Sequence, residues 1–333
     1  MHRNSLFFTK PRTVEIKKER ISSPQKNEVL VKTLYSSISA GTEMLFYNNL
    51  MQRGALVDTN IESLKHPFKY PFKYGYSTVG KVVSLGQNIS PEWRHKIVFA
   101  FHPHENYFLA SLNEIIMIPQ TITPIEATFL PSIETAVTLV MDGAPIIGED
   151  VLIYGQGIIG LLVTSVLSLF PLNTLITIDN LTLRRNKSKE LGAKKSISSL
   201  KNPQEYFPNH TGADLLYELT GNPDALELAL RYVKYSGRII VGSWYGTKKS
   251  QVTFGTDFHR KRVQIISSQV STIQPSYSGR WNKKRRIDVC WKLMKTIKPE
   301  RLVSHIIPFE NAQEAYKMIE KHPEKILQVI LQY

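Results

Sequence analysis

The stretch DVLIYGQGIIG, Asp150 to Gly160, puts glycines at 155, 157 and 160 directly between two apolar runs. A glycine triplet alone says little, but this spacing between a strand and a helix is what a dinucleotide needs. Gly155 permits a tight turn, Gly157 lets the backbone approach a pyrophosphate, and Gly160 lets the helix lie close to the strand. Together with Gln156, Ile158 and Ile159 they offer phosphate oxygens free N–H groups and the positive end of a helix. The next apolar run, TLITID, ends in Asp179, 19 residues past Gly160. A carboxylate there accepts hydrogen bonds from ribose hydroxyls and repels a 2′-phosphate, so NAD(H) is expected as the cofactor. Arg184 and Arg185, just past Asn180, would suit that phosphate instead, and NADP is the alternative.

A second cluster, FHPHENYF, carries His102, His104 and Glu105. Histidine titrates near neutral pH and can relay a proton. Two histidines one residue apart beside a glutamate can also hold a metal, or be ordinary loop residues. Glu134 in LPSIETA either faces a cleft or caps a helix. Arg260, Lys261 and Arg262 are either solvated or an anion clamp. The single cysteine, Cys290, excludes an internal disulfide and any zinc site built from several thiolates.

The elements that must position these residues change character along the chain. The first part reads as short β-rich runs, TVEIKK, EVLVKTLYSSIS, TVGKVVSLG, KIVFAF and IIMIP, which suggest a partly closed antiparallel barrel. Residues 48–72 lack periodicity and read as an excursion or lid. From Asp150, DVLIYG, TLITID, SISSL, DLLYELTG and GRIIVGSWYG alternate with helical stretches such as LRRNKSKELG and NPDALELALRYVKYSG, before a last run, VQIISSQ. That alternation predicts a doubly wound parallel sheet, an α/β Rossmann domain. Beyond it come a basic helix, KKRRIDVCWKLMKTI, a strand, VSHIIPF, a helix, NAQEAYKMIEKH, and a strand, ILQVILQ. The expected divisions are 1–140, 141–272 and 273–333.

The apolar run from Val151 to Phe170 has the length of a membrane span, but its glycines fit a strand, a turn and a buried helix better. The opening MHRNSLFFTKPR is too short in apolar core for a secretory signal. With one cysteine, this predicts a cytoplasmic protein with no membrane partner. The formal charge of +14 points to an anionic substrate, a lysine-rich surface or nucleic acid. Its densest cluster, Arg280 to Arg286, comes with no nucleic-acid motif, so nucleic acid is not expected as the main partner.

SSISAGTE, KYGYSTVGKVVSLG, the glycine fingerprint, LRRNKSKELGA, ELTGNPDALELALRYVKYSGRIIVG and PFENAQEAYKMI together resemble the medium-chain dehydrogenase/reductase superfamily over nearly the full length. The resemblance implies a GroES-like β-barrel catalytic domain built from both chain ends, a nucleotide domain inserted between them, a substrate cleft where they meet, and often a homodimer. It also implies that Thr220, Gly242, Ser243, Trp244 and Tyr245, with the backbone of Ser268 and Gln269, border the nicotinamide. Zinc members carry C-G-T-D where this chain has Ala40-Gly41-Thr42-Glu43, and G-H-E where it has Gly75-Tyr76-Ser77. Their third ligand falls near Leu130 to Ser132, and the four-cysteine lobe is absent, so no catalytic zinc is expected. SSISAGTE with KYGYSTVG looks most like the zinc-lacking bacteriochlorophyllide dehydrogenase branch.

Without a Lewis acid, protein donors must stabilise the charge that builds on a carbonyl oxygen during hydride transfer. By the resemblance, Thr42 stands at the relay hydroxyl's place, Tyr76 at the lost histidine ligand's and Glu43 at the acid that orients that ligand. A Glu43–Tyr76 hydrogen bond is therefore expected, with His102 or His104 as replacement proton relay. The implied activity is interconversion of an alcohol and a carbonyl. Reduction of an activated C=C bond or a quinone is the enzymatic alternative, and a non-catalytic dinucleotide sensor the other.

Overall fold

The computed structural model describes residues 1–198, 205–207 and 212–333, and divides the chain into two compact units. The first comprises Met1–Pro131 and Lys298–Tyr333; the second comprises Ser132–Ile297. The division falls at 131 and 297 rather than at 140 and 272, because the helix Leu130–Gly143, which the sequence reading did not identify, and the basic helix Lys283–Ile297 belong largely or wholly with the second unit.

The first unit begins with β1 (His2–Lys10) and β2 (Thr13–Arg20), an antiparallel pair extended by the short β4 (Phe72–Lys73). β1 lies in the opening segment that the sequence reading left without structure; it buries Ser5, Leu6 and Phe8. The long β3 (Glu28–Ile38) leads into α1 (Ala40–Tyr47). Then come β5 (Thr78–Leu85), β6 (Ile97–Ala100), β7 (Tyr107–Ser111), β8 (Ile115–Met117) and the one-turn α2 (Pro124–Ala127). The returning segment adds β15 (Val303–Pro308), α8 (Ala312–Lys321) and β16 (Gln328–Gln332). β3 pairs with β5 from Val29 to Ser36, so its other edge is shared: Glu28–Lys32 take β7 and Tyr35–Ile38 take β16. One strand thus ties together three others, as a curled barrel-like sheet requires.

The segment 48–72 is no lid. Val57, Leu64, Phe68 and Phe72 are buried in one core with Phe8, Phe46, Tyr74 and Tyr316, and aromatic edge-to-face contacts run through it. Its apolar residues follow no helix or strand period because their backbone is irregular, which is why periodicity could not find them.

In the second unit, α3 (Leu130–Gly143) precedes six parallel strands: β9 (Asp150–Tyr154), β10 (Thr174–Ile178), β11 (Lys195–Ile197), β12 (Ala213–Glu218), β13 (Val233–Val241) and β14 (Gln264–Ser267). Their order, β11-β10-β9-β12-β13-β14, is that of a dinucleotide-binding doubly wound sheet. The crossovers include α4 (Ile158–Leu167), α5 (Thr182–Glu190) and α6 (Ala225–Tyr232); α7 (Lys283–Ile297) follows the sheet. The apolar run 151–170 resolves into β9 and α4, both buried. Among the described residues no helix is long and apolar enough to cross a membrane. Two sequence readings shift. Val233 to Tyr235, read as helix, begin β13, and SISSL yields only Ser196 and Ile197 to β11, its positions 199–200 lying outside the described residues.

Candidate functional site

The carboxyl ends of the parallel strands gather the cofactor candidates. Gly155 follows β9, Asp179 β10, Thr220 lies two past β12, Gly242 to Trp244 follow β13, and Ser268 and Gln269 follow β14. Ligands of such sheets bind along this edge, beside the strand where the winding reverses.

The fingerprint glycines are held by contact as well as by turn geometry. Gly155 has φ +98°, and a Cβ on it would stand 2.6 Å from the Leu219 backbone. A Cβ on Gly160 would lie 2.0 Å from the Gly155 carbonyl oxygen, so only glycine lets α4 approach β9 this closely. A Cβ on Gly157, the N-cap of α4, would meet nothing within 4 Å, leaving that helix end open to a phosphate. Gln156 is turned inward, its side chain paired with Thr164. These residues fit a dinucleotide.

Asp179 is fixed from both sides: Oδ2 accepts from Gln156 N–H at 2.8 Å and Oδ1 from Leu181 N–H at 2.8 Å. Arg185 folds back onto the carbonyls of Asp179 and Asn180 and onto Thr182 Oγ1. Arg184 lies 3.8 Å from Asp179. Along the edge, Glu218, fully buried, accepts from Thr220 N–H at 2.8 Å and from Tyr245 Oη at 2.5 Å. Ser243 Oγ accepts from Gly221 N–H at 2.9 Å, and Ser268 Oγ donates to Asp142 at 2.6 Å. Trp244 is half-exposed beside them.

In the first unit, Thr42 and Glu43 sit in the first turn of α1, and Tyr76 precedes β5. Tyr76 Oη donates to Ser39 Oγ at 2.5 Å and lies 3.4 Å from Thr42 Oγ1, making a cluster of three hydroxyls. Burial pushes the Tyr76 phenol above its ordinary pKa against the pull of those hydrogen bonds, so it stays protonated at neutral pH. The sequence reading missed Ser39; the signal was its place immediately before Ala40.

The expected Glu43–Tyr76 hydrogen bond is replaced by another network. Glu43 Oε1 accepts from Ser39 N–H at 2.7 Å, while Oε2 accepts from Tyr316 and meets His104 Nε2 at 3.2 Å. His104 Nδ1 meets Ser36 Oγ at 2.7 Å, and Ser36 Oγ meets Tyr333 Oη at 2.8 Å. His104 is fully buried, with both ring nitrogens engaged. Its ring fills the space beside Gly75 (φ +119°), where a Cβ would come within 2.7 Å. His102 turns elsewhere: it stacks on Phe108 at 4.1 Å and lies 3.4 Å from Glu105. Glu105 also pairs with Arg3 at 2.7 Å and Lys73 at 2.6 Å. Burial would raise that carboxyl, but the His102 hydrogen bond and the charges of His102, Lys73 and Arg3 hold it at about 2. The two histidines diverge, and Glu105 is paired with Arg3 and Lys73.

A zinc ion finds no partners at the places where the resemblance sets its ligands. Ala40 offers a methyl, Tyr76 is held by Ser39, and Leu130, Pro131 and Ser132 supply no thiolate or imidazole. Among the described residues no group of three His, Cys, Asp or Glu is placed to hold a metal. The side chains at those three places lack the thiolate and imidazole donors zinc takes. Glu134, read as cleft-facing or capping, is buried and ion-paired with Arg286 at 2.7 Å, and Arg286 also donates to the carbonyls of Val270 and Thr272. Arg286 therefore leaves the basic cluster, where Arg285 lies over the Trp281 ring.

The zinc-binding dehydrogenase family model matches residues 159–283. D-guloside 3-dehydrogenase of Escherichia coli K12 is 24% identical over 273 residues, covering 77% of this chain and 76% of its own. Starvation-sensing protein RspB of the same strain is 21% identical, with 99% of each chain covered. The crystal structure of a short chain alcohol dehydrogenase, rspB of E. coli CFT073, complexed with NADH, superposes with a TM-score of 0.79 at 20% identity, covering 100% of this chain and 99% of that one. In its two-unit fold the chain is similar to these alcohol dehydrogenase-like structures, and in sequence to zinc-binding-type dehydrogenases.

Proposed function

We propose that the protein is a zinc-independent, NAD(H)-preferring oxidoreductase that interconverts an alcohol and a carbonyl, with the Ser39–Thr42–Tyr76 hydroxyls holding the reacting oxygen. The observation that carries this reading is Tyr76 Oη, 2.5 Å from Ser39 Oγ and 3.4 Å from Thr42 Oγ1, where zinc relatives would set a metal ligand. The nicotinamide, when bound, gives or takes the hydride. The chain's part is to hold the oxygen and move its proton. Tyr76 donates to Ser39, which leaves the Ser39 hydrogen free for a carbonyl oxygen, so a proton given up by Ser39 is replaced from Tyr76. In the oxidising direction the same pair runs in reverse. Backbone N–H of Ser39, bound to Glu43, keeps the serine in register with α1.

Asp179, held by two N–H groups, supports the NAD(H) preference, and the turning-back of Arg185 removes one candidate for a 2′-phosphate. The net charge of +14 favours an anionic substrate. The likeness of SSISAGTE and KYGYSTVG to the bacteriochlorophyllide branch is local and carries no substrate. The test is to screen acidic hydroxy compounds and carbonyls with NAD(H), then compare Tyr76→Phe and Ser39→Ala on the best substrate. Both should lose turnover about a hundred- to thousandfold, the effect of removing one preorganised donor, with NADH affinity unchanged. Near wild-type turnover in both variants would overturn the site. Reaction with enones or quinones only would replace the carbonyl chemistry by C=C or quinone reduction.

A further inference from the structure

The amino ends of the parallel strands, opposite the cofactor edge, carry a surface that the oxidoreductase reading does not use. Two loops there expose large apolar side chains: Ile146 and Ile147 before β9, 61% and 79% exposed, and Leu169 and Phe170 before β10. Gly148 N–H donates to the Pro171 carbonyl at 2.9 Å and Asn173 N–H to the Glu149 carbonyl at 3.0 Å, so the loops form one joined tip. A single exposed leucine needs no explanation, but four large apolar residues on one joined tip do.

Cations flank the tip. Lys194 is exposed and bonded through its N–H to Leu175 of β10; its neighbour Gly192 packs on Ser168, next to Leu169. At the far side of the sheet, exposed Arg260 and Arg262 precede β14. Most carboxylate charge of the same edge is paired: Glu149 with Arg238, Asp257 with Lys261, and Asp150 and Asp214 sharing Lys234, a trio that keeps one net negative charge. Among the described residues Lys194, Arg260 and Arg262 have no such partner. This edge is therefore apolar in the middle and positive at both sides, on a chain of net charge +14.

We propose that, contrary to the expectation of no membrane partner, this edge docks on an anionic lipid bilayer, with Ile147 and Phe170 entering among the headgroups and Lys194, Arg260 and Arg262 on their phosphates. Apolar area gives the insertion, and charge attraction gives the preference for anionic lipid. A second copy of the chain suits the edge less well, because a two-fold pairing would set these cations against their own copies.

The experiment is co-sedimentation of the full chain with vesicles of phosphatidylcholine alone and with about a third phosphatidylglycerol. The expected result is binding to the anionic vesicles only, weakening as salt rises. Ile147→Asp with Phe170→Asp should abolish it, and Arg260→Ala and Arg262→Ala should each weaken it about fivefold. All four positions are exposed, and unchanged melting and NADH binding will show that the variants fold. No binding to anionic vesicles would overturn the proposal, as would binding that none of these variants weakens. A dimer that Ile147→Asp disperses, without vesicle binding, would assign the edge to a second copy instead.

Discussion

Tyr76 and Asp179 do different work, and each has its own signature. Because burial holds the Tyr76 phenol above a pKa of 10, it remains the proton-bearing form through the neutral and mildly alkaline range. Carbonyl reduction should accordingly show no loss of rate from the phenol up to about pH 10, and Tyr76→Phe should lower the plateau without adding a new pH limb. A descending limb near neutrality in the wild type would assign the proton to another group. For Asp179→Asn, NADH binding measured by fluorescence titration should weaken about tenfold or more, as expected for loss of a charged hydrogen bond, with NADPH little affected. At this scale the sequence was legible where the chemistry is local. The glycines and Asp179 announce themselves by spacing. Ser39, Ser36, Tyr316 and Tyr333 did not, because the partners of Tyr76, His104 and Glu43 come from separate stretches of the chain that only folding brings together.

At the scale of elements, α7 matches its sequence reading from Lys283 to Ile297, since its buried residues, Ile287, Cys290, Trp291, Met294 and Ile297, repeat at helical spacing. Its one buried cation could not be read: Arg286 sits in a run of basic residues and meets Glu134 of α3 across 152 positions. Arg286→Ala should destabilise the protein by about 3–5 kcal/mol by leaving the Glu134 carboxylate buried and unpaired. Adding Glu134→Leu to Arg286→Met should restore most of the melting temperature. If the double variant is no better than the single, the pair is not the cause. Glu105 gives a second test. Its carboxyl is held at about 2 in the fold against an ordinary 4.5, so its contribution is present above 4.5 and is lost as pH falls toward 2. Glu105→Gln should flatten the acid limb of a stability-versus-pH curve in that window.

Over the whole molecule, the pattern of short runs followed by alternating strands and helices foretold two architectures, and both are present. Chain-order reading placed the divisions poorly because helices at the borders take their allegiance from packing, as α3 and α7 show. For the purified protein, elemental analysis should find no stoichiometric zinc, and a chelator should leave turnover unchanged. Loss of activity on chelation, restored by zinc, would refute the metal-free reading. Saturating NADH at about a hundred times its Kd should stabilise the fold by about 2.7 kcal/mol, seen as a rise in melting temperature.

The first unit is made from two separated stretches of chain, whereas the second is one continuous stretch. During synthesis the 132–297 stretch is complete while β3 still lacks its partner β16, because residues 328–332 have yet to be made. The nascent first unit must therefore wait, with the Tyr35–Ile38 edge unpaired, for the length of time the ribosome takes to add the second unit and the returning segment. Domains fold as units when their chain is available, so the nucleotide-binding half should acquire protease resistance first on the ribosome. An unpaired β edge is also a template for wrong partners. Aggregation during overexpression should start there, and slowing translation over 132–297 should worsen it by lengthening the wait.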